Sequence, residues 1–445
     1  MEIKTFQVGF ARSGITPPFS VPMWGMGNDV GRMPNVFREE LKADALAFSD
    51  GENTAVLFAT DLLWIPQAFS DEVNRRCAAS LGIPEGNAIL TASHTHFAPT
   101  LEGDHPATAE YLRFLTPIIV ETAKRALCDL APAKMFIGRR NAFHLNSCRR
   151  YFFKDGTFGG VGIGKDAEPL AHENPGDPEL SVIRFEREGK KAVTLANFSG
   201  HFPGDPDLHV MTSGVIHYFR EEFEKEGDST LTFFQGAAGD MGMSSRFPFE
   251  NRAKGIQGIG RELAGEARRV LKELVPAQPG SVSVRRAAVQ AELDHRDDEK
   301  LPLVKELLKR YSGNGFLSEE DRKASGLDTI VRLRAVLRQA TRFAGMASLP
   351  VPLTVLSLGE VAFAGASYEM FSQSGRFVKN EAPQKMVFIC ENCNGTNGYI
   401  PTRESFPNGG FGADNSYFVP GTGEILAEKL AELLRADEKT ENFSK

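Results

Sequence analysis

The chain has 445 residues, 41% hydrophobic and 24% charged, with 58 acidic against 51 basic side chains and a net charge of −7. That is an ordinary globular composition, and its acidic balance excludes the broad basic field that holds nucleic acid or an anionic membrane. No apolar run approaches the ~20 residues of a bilayer span, no basic-then-apolar leader opens the chain, and five scattered cysteines make no disulfide framework, so a cytoplasmic setting is expected.

In chain order, apolar runs predict strands at Ala55–Ala59, Ala88–Ala92, Ser181–Phe185, Val193–Phe198 and Leu231–Phe234. Between them, helical spacing predicts Gln67–Ala79, Ala107–Leu127 (kinked or restarted at Pro117) and Val215–Lys225. A further helix, Arg252–Leu274, ends at Pro276–Gly280. Buried strands interleaved with helices predict an α/β layered fold with a mixed sheet and flanking helices. Beyond it, Ser281–Leu293 alternates like a solvent-facing strand, and residues 300–345 read as a charged helical insertion with a solvated face. Strands return at Pro352–Leu358 and Val361–Ala364, then a helix from about Tyr368, a strand at Lys385–Ile389, a long Gly- and Asn-rich loop at Asn392–Gly423, and a last helix at Glu424–Leu434. Cys390 and Cys393 form an isolated CxxC, read as structural.

Several polar residues fall at strand ends, where open α/β sheets place their sites. Asp61 follows one strand, His94 and His96 the next, then His201 and Asp240. A strand end carrying two imidazoles can found a metal or acid–base site, although one packed and one solvated histidine fits the pair equally well. Gly236 and Gly239 do not form a phosphate loop, because no Lys-Ser/Thr follows.

Six segments, in order, resemble the neutral (non-lysosomal) ceramidases and their short bacterial relatives. These are Val8–Pro17 (with Gly14 where an Asp is usual), Thr91-Ala92-Ser93-His94-Thr95-His96-Phe97-Ala98-Pro99, Asn197-Phe198-Ser199-Gly200-His201, Phe234-Gln235-Gly236-Ala237-Ala238-Gly239-Asp240, Tyr368-Glu369-Met370-Phe371, and Cys393–Thr402 around Tyr399. Asp177–Phe185 resembles the family's entry into a core strand, and the ordered likeness runs from about Val8 to Leu434.

The resemblance implies a single catalytic domain over residues 1–445, without the family's C-terminal β-sandwich, and one Zn2+ held by His94, His201, Glu369 and Tyr399. It further implies His96 as a general base beside the metal, with Tyr399 and Asp240 as catalytic partners. Asp61 would orient an imidazole and Arg150 would bind a polar group of the substrate. Ceramidases carry a reactive Ser where this chain has Gly242; Ser244 and Ser245 lie close by. The expected activity is therefore a zinc-dependent hydrolase acting on an amide-type bond of a soluble small molecule. Two other readings stay open: a metal-dependent lyase or isomerase for a sugar-like or cyclic polyol substrate, and a non-catalytic binding protein.

Overall fold

Strands apolar on both faces must be covered on both faces, and here the cover is a second sheet on one side and helices on the other. The computed structural model describes residues 5–26, 31–160, 167–243, 255–313 and 315–441, with side chains to 436. Ser244 and Ser245 lie outside the described residues, as do the first three residues of the helix expected from Arg252.

The larger sheet runs, strand by strand, Ser229–Gln235, Ala192–Phe198, Glu179–Arg187, Ala131–Asn141, Gln7–Gly14, Lys42–Ser49, Thr54–Thr60 and Ala88–Ala92. Its centre is antiparallel, while the two outermost pairs are parallel. A second sheet contains Pro279–Glu292, Ser348–Gly359, Val361–Ala366 and Met386–Cys390. The sheets meet across an aromatic core. Phe48 of the first stands 6.2 Å from Phe363 of the second, and Phe363 lies 5.6 Å from Phe234 and 5.4 Å from Phe388, centroid to centroid.

Helices Gln67–Leu81, Pro106–Cys128, Val215–Glu224 and Gly255–Leu271 bury their apolar stripes on the outer face of the larger sheet, through residues such as Val73, Leu115, Phe219 and Leu263. Helices Ser372–Glu381 and Thr422–Glu441 cover the other sheet with Val378, Leu426 and Leu430. The result is a helix–sheet–sheet–helix sandwich. No helix among the described residues is long and apolar enough to cross a membrane.

Three local expectations change. Helix Pro106–Cys128 runs through Pro117 without restarting. The helix expected from Tyr368 begins only at Ser372, because Glu369–Met370 pairs instead as a short parallel strand with Tyr399–Ile400. The insertion forms helices Leu301–Leu307, Glu319–Ser325 and Ile330–Arg342 with their own apolar cluster, but its charges are not all solvated: Arg332 is buried and bonded to Asp297 at 2.6 and 2.9 Å. Cys390 and Cys393 are buried between the sheets as free thiols, and burial pushes Cys393 up to about 12, which suits packing rather than redox chemistry.

Candidate metal centre

Three parallel strand pairs aim their carboxyl ends at one place. Thr54–Thr60 with Ala88–Ala92 leads to His94, Ala192–Phe198 with Ser229–Gln235 leads to His201, and Val361–Ala366 with Met386–Cys390 leads to Glu369 and Glu391. Tyr399 arrives opposite Glu369 in the short parallel pair. His94 sits at φ +61°, in the left-handed region that a side chain of this size enters only when its surroundings enforce it.

The ring nitrogens are set by backbone carbonyls. His94 Nδ1 donates to the Leu63 carbonyl at 2.9 Å, and His201 Nδ1 to that of Ala238 at 2.7 Å. With Nδ1 as the donor, the neutral form of each ring presents its Nε2 lone pair inward, and the two nitrogens lie 3.0 Å apart. Glu369 Oε2 stands 3.2 Å from His201 Nε2 and 3.4 Å from His94 Nε2. That oxygen is buried and receives no hydrogen bond. The Tyr399 hydroxyl is 3.2 Å from His201 Nε2. His96 joins the group, the ligand atoms of the three histidines all lying within 4.8 Å of one another. Its Nε2 is buried and also without a partner.

Burial and neighbouring charges set the protonation of each group. Burial opposes charge on His94, yet the Glu369 carboxylate holds its pKa above the ordinary histidine value. Burial, and then the charge of Arg149, push His201 down to about 3, so it stays a neutral donor. His96 is held well below its usual value by burial and by the two neighbouring imidazoles. Burial also opposes ionisation of Glu369, but His94 and His201 overcome it and keep the carboxylate. Tyr399 is raised by burial and by Glu369, which keeps its hydroxyl protonated. Buried donors of this kind, with lone pairs converging, are the first requirement of a metal site.

Three residues expected at the site have other tasks. Asp61 bonds Arg220 twice, at 2.7 Å each, and accepts from the Lys42 amide; the carbonyls of Leu63 and Ala238 take the imidazole-orienting role instead. Asp240 accepts from Asn174 and from both the amide and the hydroxyl of Ser372, capping the helix that follows Glu369. Gly239 beside it must be glycine, since a Cβ there would lie 2.9 Å from the Glu369 carbonyl oxygen. Arg150 is 1% exposed and spent on Glu173 and on the carbonyls of Ser405, Gly409 and Phe411.

The guanidinium at the site belongs to its neighbour, Arg149. It donates to the Tyr399 hydroxyl at 3.2 Å and the Gly239 carbonyl at 3.1 Å, and stands 3.2 Å from His201 Nε2. The segments Ser147–Cys148 and Met241–Gly242 pair beside it, and a Cβ on Gly242 would lie 3.3 Å from that of Arg149. Glu391 is the second residue that sequence reasoning missed, although it too follows a strand end. Its Oε2 accepts from the Ala238 amide, so it supports the carbonyl that fixes His201. Burial pushes its carboxyl up to about 8, against the pull of His94.

With this arrangement in view, the chain aligns with a neutral ceramidase from Pseudomonas aeruginosa at a TM-score of 0.71, over 98% of this chain and 75% of that one. The fold is that of a neutral ceramidase. A ceramidase complexed with C2 aligns with the same TM-score at 16% identity, covering 98% of this chain and 76% of its own. Identity to the Pseudomonas ceramidase is 17%, so the likeness carries the fold, and the chemistry has to be argued from the side chains. No family model matches the sequence, and no curated protein does.

Proposed function

We propose that the chain is a metal-dependent hydrolase that cleaves an amide-type bond of a small molecule, with zinc held by His94, His201, Glu369 and Tyr399. The observation that carries this is the unpartnered, buried Glu369 Oε2 facing two inward lone pairs. Ligand atoms held about 2.0–2.2 Å from one zinc ion would lie roughly 3 Å from their neighbours. The separations here, 3.0, 3.2 and 3.4 Å among His94, His201 and Glu369, fit that spacing, and the Tyr399 hydroxyl, 3.2 Å from His201 Nε2, would complete the set as a weaker ligand that leaves room for water. Zinc in such a set supplies Lewis acidity, which activates water and polarises a carbonyl.

The chain's own groups supply the rest. His96 Nε2, neutral and unpartnered, accepts a proton from the attacking water and returns it to the leaving nitrogen. Arg149 directs positive charge to the place where a carbonyl oxygen becomes negative. Gly242 offers no hydroxyl at its position, which favours water as the attacking group. Residues 1–445 act in this reading as one catalytic unit.

The test is metal analysis of the purified protein, followed by a screen of short N-acyl amines in oxygen-18 water. About one zinc per chain, label in the carboxylate product, and at least ~10²-fold loss on chelation with recovery on zinc addition are expected. Turnover without label would move the chemistry to lyase or isomerase, and absence of both metal and turnover would leave only a binding protein. Arg149→Ala is expected to lower kcat about 10²–10³-fold while zinc content stays unchanged, as befits a group that acts on developing charge. Loss of zinc in this variant would make Arg149 a structural support instead.

A further inference from the structure

The cavity above the histidines has a volume of about 720 Å³, and helix Ile330–Arg342 contributes Arg334, Arg338 and Arg342 to its wall. Residues four apart share a helix face, so the three guanidinium groups form a stripe roughly 12 Å long at 1.5 Å per residue. His94, His96, Glu369 and Tyr399 line the same cavity.

Arg334 donates to the Gly313 carbonyl at 2.6 Å, which leaves its charge in place. Among the cavity's lining residues the acids are Glu102 and Glu369, and Glu369 belongs to the metal set. Glu102 accepts from the Trp64 indole at 2.8 Å and lies 3.8 Å from Arg342. Arg338 meets neutral partners among the described residues, the Asn415 side-chain oxygen and the Tyr417 ring. Burial, and then the like charge of Arg338, pull the Arg334 pKa below its ordinary value, so these two cations repel each other across the wall. A local positive field in a chain of net charge −7 is not a by-product of composition.

We propose that Arg334 and Arg338 bind an anionic group, carboxylate or phosphate, on the substrate whose amide reaches the metal centre. The substrate is then an N-acyl amino acid or a phosphorylated N-acyl amine, and a neutral lipid amide is a poor fit. This rests on the hydrolase reading for the position of the amide, while the anion site itself is independent of turnover. Guanidinium groups suit either anion, because their planar forks pair with both carboxylate and phosphate.

The experiment measures binding to the metal-free, full-length protein by calorimetry and turnover by the zinc-loaded protein. Probes are N-hexanoylglycine against N-hexanoylglycinamide, and N-hexanoyl-phosphoethanolamine against N-hexanoylethanolamine. The charged member of at least one pair is expected to bind roughly 10- to 100-fold more tightly, the range of a charge-assisted hydrogen bond, and to weaken as salt is raised. The pair with the larger ratio names the anion. Arg338→Gln alone, at an exposed position, should remove most of this preference, and Arg334→Gln with Arg338→Gln should remove all of it. Lys429→Gln, on a distant helix, should change nothing.

Equal binding of charged and neutral probes, or preference that survives the double substitution, overturns the proposal. Preferential binding without turnover of any probe leaves the anion site standing and rejects the hydrolase reading.

Discussion

Replacing His94 by alanine is expected to leave the folded protein with a small fraction of its zinc and with kcat lowered roughly 10³-fold or more. Changing a group that merely orients a ligand already costs about 10- to 100-fold in metal affinity, and here the ligand itself is removed. Polarisation by a metal ion is worth several kcal/mol, and each 1.36 kcal/mol is about tenfold in rate. His94 offers a second, independent readout. Its φ of +61° costs an L-residue about 1–2 kcal/mol, a cost that alanine inherits and glycine escapes. His94→Gly should therefore melt higher than His94→Ala by about 1 kcal/mol of stability, while both lose the metal. Elemental analysis with thermal denaturation separates these outcomes from unfolding. Stoichiometric zinc in both variants would place the ion on another set, with His96 as its first candidate.

What the sequence makes legible here is the strand end, because an apolar run and the polar residue that closes it are local. His94 and His201 are legible for that reason, and Glu391, which closes Met386–Cys390, carries the same local signal. Glu369 and Tyr399 depend on pairing between segments thirty positions apart, and a two-residue strand is too short to show a period. The ordered resemblance, rather than any local pattern, pointed to them.

Arg149 and Arg150 show a different limit. Successive residues of an extended segment face opposite ways, so a shift of one position exchanges a buried structural arginine for the one at the site. Composition and spacing do not resolve that shift. The arginine face of Ile330–Arg342 shows a third limit: a polar stripe is visible in the sequence, but whether it meets bulk water or a cavity is decided by what packs opposite. The same holds for the sandwich as a whole. Interleaved strands and helices imply layers, yet the second sheet follows from the shared aromatic core, built from contacts between residues more than a hundred positions apart.

Asp61→Ala is expected to destabilise the fold by about 3–5 kcal/mol without removing zinc from the molecules that remain folded. Asp61 is fully buried and Arg220 nearly so, and the carboxylate meets the guanidinium through two bonds of 2.7 Å. Truncating one member of such a pair strands the other charge in a poor dielectric, which is where a loss of this size arises. Burial disfavours the Arg220 cation, and the Asp61 charge more than offsets that, holding its pKa above the ordinary value. Asp44 helps from nearby, but it is already engaged by Arg12 at 2.6 and 2.9 Å and by the Thr232 hydroxyl at 2.8 Å. The pair ties helix Val215–Glu224 to the end of strand Thr54–Thr60, so its loss loosens the layer below His94 without touching a ligand. Replacing both partners together, Asp61→Leu with Arg220→Met, removes the stranded charge and should recover most of the stability. Denaturant titration of the single and double variants measures this coupling directly. Loss of zinc from Asp61→Ala at unchanged stability would return Asp61 to the metal centre, as the carboxylate that orients an imidazole.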